Sequence, residues 1–341
     1  MASTGSSKVA EPERPIVLLG ADDDEHVEAI ARDLIARGEA PIVIDPRLFP
    51  ARLSVSLGAE ASDIRIGDHA RLVPRAVYLR GMYTDPGGFK TNADQAMDRD
   101  WRKTNAALGE RWTVLTALLQ RWAALGVALY NSPECANTLN KPYQLALLER
   151  AGLPVPRTLW SNDPAAVHDF CTREGAVVYK PVRGGAHTRK VSARDLEPER
   201  LARLRASPVC FQELLPGRNL RVYVVDDRVV CALAVEADEL DFREVVPRVS
   251  AIELSSELAE QCVRATSLMG LRFTGMDLRE DAEGRAKFLE LNSSPMFLGF
   301  EQLASVQIGV HLSAALARAG AGGSGGASPR GTAQLRSAQC R

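Results

Sequence analysis

The chain has 341 residues, and its 42 Lys and Arg stand against 43 Asp and Glu, a formal net charge of -1. That balance supplies no global field to draw in nucleic acid, and no apolar run approaches the roughly twenty residues needed to cross a bilayer. Residues Met1 to Arg14 lack the apolar stretch of a secretory signal, so the expected setting is the cytoplasm, with room for a large core and more than one domain.

Residues 1–14 carry Ser, Gly, Glu, Lys and Pro, and 319–341 are dominated by Gly, Ala and Ser. Neither buries enough to offset the entropy of ordering, and both are predicted to be disordered tails. Between them, 15–130 alternates in the α/β manner. Ile16 to Leu19 is a short buried strand, and Val27, Ile30, Ala31, Leu34 and Ile35 recur at helical spacing up to Gly38. Ile42 to Ile44 is a second strand, which completes a βαβ unit. Leu53 to Leu57 and Ile64 to Ile66 read as a small hairpin, and Val77 to Arg80 as a further strand. From Trp101 to Leu125, the spacing of Leu108, Trp112, Leu115, Leu118, Leu119 and Trp122 predicts a long amphipathic helix whose aromatic stripe packs inward.

Val127 to Tyr130 is a strand, followed by Asn131-Ser132-Pro133 and a helix that contains Lys141 to Leu148 and stops at Gly152. Pro154 and Pro156 lead into the strand Thr158 to Trp160; Asp163 then caps a helix with Pro164 in its first turn. The strand Ala176 to Lys180 opens onto Pro181-Val182-Arg183-Gly184-Gly185-Ala186-His187-Thr188-Arg189-Lys190. Glycines let backbone N–H groups approach phosphate oxygens, and the surrounding cations neutralise them. The loop is neither a Walker sequence nor Gly-x-Gly-x-x-Gly, so P-loop and dinucleotide folds are disfavoured.

Further on, Asn219 to Val225 and Arg228 to Leu233 form a hairpin about Asp226-Asp227, and Leu271 to Leu278 pairs with Ala286 to Leu291 about a polar turn. Side chains alternate along a strand, so Glu290 and Asn292 share a face that Asp277 can join from the paired strand. Two carboxylates and an amide oxygen are hard ligands suited to Mg²⁺ that takes its remaining ligands from water and substrate phosphates. The six cysteines contain no Cys-x-x-Cys pair, which predicts free thiols. Of the histidines, His26, His69, His168, His187 and His311, none is paired in sequence with a nucleophile, and only His187 lies in the basic loop.

The order Asn140-Lys141, Leu153 to Thr158, Tyr179-Lys180-Pro181 with its Gly-rich loop, Phe211 to Gly217, Asp277 and Glu290-Leu291-Asn292 resembles the ATP-grasp ligase superfamily. Asp45 to Pro50 and Tyr78-Leu79-Arg80 are similar to motifs of graspetide synthetases, which cyclise ribosomal peptides through side-chain esters and amides; ribosomal-protein glutamate ligases are the neighbouring branch. The resemblance implies an α/β ATP-grasp fold: a pre-grasp α/β domain over 15–130, a central lobe over 131–212, and a C-terminal antiparallel-sheet lobe over 213–318. It places Lys141 and Lys180 on the α- and β-phosphates with Gly184, Gly185 and His187 around them. Gln212, Glu213, Leu214 and Leu215 become the hinge against adenine, read by main-chain groups. Asn219 stands where many members have an acidic residue for the ribose, and an amide still bonds both hydroxyls. Arg221 would bind the transferred phosphate and Arg243 would face the acceptor.

The implied chemistry is attack of a substrate carboxylate on the γ-phosphorus of ATP, with one or two Mg²⁺ ions held by Asp277, Glu290 and Asn292, followed by displacement of phosphate by an amine or hydroxyl. The expected partners are ATP and a peptide or amino-acid substrate, with a homodimer possible and neither nucleic acid nor membrane involved. Three alternatives stand at this point: a ligase acting on a peptide, the same chemistry on a free amino acid, small metabolite or protein tail, and a nucleotide-binding scaffold without turnover.

Overall fold

The computed structural model describes residues 14–83, 93–137, 140–183, 187–236 and 248–319. The N-terminal domain follows the βαβ expectation. It contains β1 (Ile16–Leu19), α1 (Glu25–Ala36), β2 (Ile42–Ile44), β3 (Val55–Ser56), β4 (Arg65–Ile66), β5 (His69–Ala70), β6 (Ala76–Leu79), α2 (Ala93–Ala124) and β7 (Ala128–Tyr130). The main sheet runs β2-β1-β6-β7 and is parallel throughout. A parallel strand covered on both faces needs apolar residues at every position, and β1 shows the division. Ile16 and Leu18 pack with Val27, Ile30 and Leu34 of α1, whereas Val17 and Leu19 pack with Leu118, Leu119 and Trp122 of α2.

Two helical expectations are corrected here. Ile35 is 62% exposed, because its neighbour Leu34 already occupies the inward direction on α1. On α2 the buried stripe is Leu108, Leu115, Leu118, Leu119 and Trp122, while Trp112 is exposed. The helix also begins eight residues before Trp101, at Ala93. The small hairpin gains a third strand, in the order β3-β4-β5.

The central lobe contains α3 (Lys141–Arg150), β8 (Thr158–Ser161), α4 (Pro164–Glu174), β9 (Val177–Pro181), β10 (Arg189–Lys190), α5 (Pro198–Leu201) and β11 (Val209–Glu213). Its sheet runs β10-β9-β11-β8 and is antiparallel. The Asp163 carboxylate accepts from the Ala165 N–H, which is the cap expected for α4. Glu213, the last residue of β11, still pairs with Val177.

The C-terminal lobe contains β12 (Asn219–Val225), β13 (Arg228–Glu236), β14 (Arg248–Ala251), α6 (Ser256–Leu268), β15 (Phe273–Glu280), β16 (Ala286–Asn292), α7 (Leu298–Ala304) and α8 (Gly309–Arg318). Its antiparallel sheet, β14-β13-β12-β15-β16, has two different faces. One carries Leu220, Val222, Val224, Met276, Leu278, Phe288 and Leu291 onto α3 and α6. Each fully buried side chain of this kind contributes about 1.5–3 kcal/mol. The other face divides along its length: Tyr223, Val225, Leu233 and Val235 join the core of the N-terminal domain and α8, while Asn219, Arg221, Asp277 and Arg279 leave a polar surface beside it. No helix among the described residues is long and apolar enough to cross a membrane.

Candidate active site

The β15–β16 register places Asp277 opposite Glu290 and Gly275 opposite Asn292, so all three expected metal ligands share one face. A bulge between Asp277 and Leu278 shifts the pairing, and Arg279 and Lys287 then fall on that same face despite the odd spacing from Lys287 to Glu290. The amide Nδ2 of Asn292 lies 3.4 Å from Asp277 Oδ2. No trio of His, Cys, Asp and Glu side chains is placed for a metal among the described residues; the three side chains brought together here are two carboxylates and the Asn292 amide. Two carboxylates and an amide oxygen beside several cations fit magnesium with its water and phosphate ligands.

Arg221 is the direct neighbour of Asp277 on β12. Its Nη1 donates to Asp277 Oδ1 at 2.8 Å and its Nε to the Tyr223 hydroxyl at 3.3 Å. The guanidinium lies over the rings of Tyr223 and Phe300. Burial works against its charge, but the Asp277 carboxylate and Tyr223 outweigh it and hold its pKa above the usual arginine value. A Cβ on Gly275 would meet Arg221 Nη2 and Pro295 Cβ, each at 2.7 Å, so only glycine lets the arginine lie across β15.

Both expected lysines face this surface. Gln144, fully buried on α3, acts as an extra strand residue: its amide donates to the Leu291 carbonyl at 3.1 Å and accepts from the Leu291 N–H at 2.9 Å. That pairing fixes the start of α3 against β16 and brings Lys141 Nζ to 3.1 Å from Glu290 Oε2. Lys180, on β9, donates to Gln212 Oε1 at 3.0 Å, and Gln212 Nε2 donates to Thr158 Oγ1 at 2.9 Å. Burial pushes the Lys180 pKa down, and its ammonium is within electrostatic reach of Lys141, Glu290 and Asp277. The same burial pushes the neighbouring Cys210 thiol up to about 11, which leaves it protonated and inert at neutral pH.

At the hinge, the Glu213 carboxylate is already committed. It accepts from the Arg157 N–H at 2.9 Å and from Lys287 Nζ at 2.6 Å, and Arg157 Nη2 lies 2.6 Å away. Its side chain therefore ties the two lobes together. The Leu214 N–H is likewise spent on the Ala176 carbonyl, so this donor is not the one that reads a base edge. Leu215 is buried, Leu214 is half-buried, and Asn219 Oδ1 accepts from Arg279 Nη1 at 3.2 Å. His187 is exposed and lines a cleft of about 600 Å³ with Lys180, Arg183 and Arg189. Gly184, Gly185 and Arg243 lie outside the described residues.

Several supports were not anticipated. The segment after Asn292 is pinned to the N-terminal domain: the Ser293 carbonyl accepts from Asn131 Nδ2, and the Ser294 carbonyl and hydroxyl accept from Arg80 Nη1. The Ser294 hydroxyl donates back to the Arg80 carbonyl, and the Phe297 N–H donates to His26 Nε2. Asn131 also accepts from the Arg272 and Phe273 N–H groups at the start of β15 and donates to the Phe273 carbonyl, so one amide holds both strands of the metal hairpin. Arg80 carried a sequence signal through its place after Tyr78-Leu79, but Asn131, Arg279 and Lys287 carried none beyond their position in or after strands.

Known proteins share this fold. The model of the RimK-like ATP-grasp domain matches residues 138–316. The ATP-grasp ligase PsnB, solved with a phosphomimetic variant of its minimal precursor, Mg and ADP, is 50% identical with a TM-score of 0.86, covering 89% of this chain and 98% of PsnB. The macrocyclase MdnC from Microcystis aeruginosa MRC, bound to precursor peptide MdnA, shares the fold at 22% identity and a TM-score of 0.74, covering 89% of this chain and 99% of MdnC. A probable alpha-L-glutamate ligase of Rhodopirellula baltica is 29% identical over 206 residues, 57% of this chain and 51% of the relative. Another, from Hahella chejuensis, is 31% identical over 202 residues, 54% of this chain and 65% of the relative. The chain thus spans about half to two thirds of the glutamate ligases it matches.

Proposed function

The chain belongs to the RimK-like ATP-grasp family of ligases, and on that premise we propose that it activates a peptide carboxylate with ATP and joins it to an amine or hydroxyl of the same peptide. The observation that carries the ligase chemistry is the convergence of Asp277, Glu290, Asn292 and Arg221 on one sheet face opposite Lys141 and Lys180. The preference for a peptide is supported by the likeness to PsnB, 50% identical overall and covering 89% of this chain, whereas the match to glutamate ligases covers little more than half of this chain.

In this mechanism Lys141 and Lys180 hold the phosphate oxygens as long-reaching charges. Arg221, fixed by Asp277 and the two aromatic rings, presents its free N–H groups to the phosphoryl group in transfer. Magnesium bound by Asp277, Glu290 and Asn292 supplies neutralisation of the terminal phosphates. A carboxylate oxygen of the substrate forms a bond to the γ-phosphorus as the bond to the bridging oxygen breaks, giving an acyl phosphate and ADP. The acceptor then attacks the acyl carbon, phosphate leaves, and the acceptor's proton is lost to solvent. Little acid–base machinery is needed, because positioning and charge stabilisation dominate phosphoryl transfer.

The test is mass spectrometry of a precursor-type peptide carrying acidic residues with Lys, Ser or Thr, incubated with enzyme, ATP and Mg²⁺. Loss of one water per ADP formed supports intramolecular closure. Gain of glutamyl mass in the presence of glutamate supports the glutamate-ligase alternative, and no ADP formation with either substrate overturns the ligase assignment.

A further inference from the structure

Among the described residues, Arg279 is the one cation on the polar sheet face that has no anion. Arg221 is paired with Asp277, Lys141 with Glu290, and Lys287 with Glu213. Arg218, at the hinge end of β12, is paired with Glu280. Arg279 instead makes a single hydrogen bond, to the neutral Asn219 amide, and its buried Nε has no partner among the described residues. A guanidinium partly removed from water and left unpaired is costly, and an arriving anion repays that cost with charge-assisted hydrogen bonds.

Its position limits what the anion is. Arg279 lies two residues beyond Asp277 on β15, roughly 7 Å along the strand, on the side of the hinge, where Gly217 N–H bonds to the Glu280 carbonyl. It pairs across the sheet with Lys287, which reaches Glu213 of the hinge strand, and with Asn219. A nucleotide that runs from the hinge to the metal face passes its first phosphate over this point. We propose that Arg279 binds the α-phosphate of the nucleotide, with Asn219 orienting the guanidinium from below. This rests on the nucleotide assignment above, and it adds a third cation to the two lysines, placed on the opposite lobe from Lys180.

Titration calorimetry with adenosine, AMP and ADP separates the possibilities. R279M keeps the apolar stem and removes only the charge. AMP and ADP should bind about tenfold more weakly to R279M, while adenosine, measured by competition against ADP, binds as it does to wild type. An equal loss for adenosine overturns the proposal, since the arginine would then serve the base or the packing of the lobe. So does an unchanged affinity for AMP. Should R279M fail to fold, R279K carries the test: several-fold weaker AMP with unchanged adenosine supports the contact, because lysine cannot reproduce a bidentate grip, and unchanged AMP overturns it. Failure of wild type to bind ADP at all is a different outcome, which removes the nucleotide assignment itself.

Discussion

Lys180 is held in a place that suits its ligand better than it suits the protein. Its ammonium is part-buried, its only hydrogen-bond acceptor among the described residues is Gln212, and its pKa is depressed. Between that folded value and the ordinary value near 10.4, the unfolded chain binds more protons, so stability rises with pH across this window. K180M should therefore raise the urea midpoint of the nucleotide-free protein at pH 7 and flatten its rise toward alkaline pH. ADP affinity, measured in parallel, should fall about ten- to hundredfold, the scale of a lost charged hydrogen bond. Glu290→Gln separates differently: ADP formation should drop about a hundredfold or more while the fold persists, because Mg²⁺ loses a charged ligand. Full turnover of E290Q would show that the metal lies elsewhere. These residues were legible in the sequence because strand alternation puts Glu290 and Asn292 together and leaves Lys180 at the mouth of a buried strand. Arg279 was not, since an arginine in a polar strand end looks like any solvated one until its lack of a carboxylate is seen.

At the scale of elements, the metal hairpin depends on features that local pattern does not announce. The two strands and their turn were expected, but the bulge that brings Lys287 onto the same face as Glu290 is a matter of pairing and not of composition. Gly275 is equally silent in sequence, and its reason is the 2.7 Å approach of Arg221. Gly275→Ala should displace that guanidinium, so that the variant folds with reduced stability and loses most of its ADP-forming activity, checked by calorimetric melting beside turnover. Asn131 joins β7 to both strands of the hairpin through an amide that is 2% exposed. Asn131→Ala strands several buried backbone groups and should cost about 3 kcal/mol, read from urea unfolding. The Asn131-Ser132-Pro133 turn was visible in the sequence, yet its partners lie about 140 residues away, a distance across which periodicity has nothing to say.

The whole molecule is joined at the seam between the N-terminal sheet and the C-terminal lobe. Asp24 caps α1 and also receives Arg80 Nε at 2.9 Å, and Arg80 reaches on to Ser294. Burial alone would raise the Asp24 pKa, but hydrogen bonds from His26 and the charge of Arg80 overcome it and hold the carboxyl far below its usual range. That contribution is fully present above about pH 4 and is lost as pH falls toward the depressed value. Asp24→Asn keeps a good cap and loses the ion pair, so it should lower the urea midpoint at pH 7 and flatten the loss below about pH 4. The order of strands and helices was readable from their alternating patterns, but this seam was not, because it is made of single contacts between segments far apart in the chain.

Glu213 sits in the central lobe with Arg157 on its own side and Lys287 reaching over from the other. Arg157 belongs to the same lobe, so two ion pairs cross from one lobe to the other: Glu213 with Lys287, and Lys141 with Glu290. Release of spent nucleotide should then answer to both: added salt should quicken ADP escape in stopped-flow, and Lys287→Met should release ADP faster than wild type at low salt and gain less from added salt.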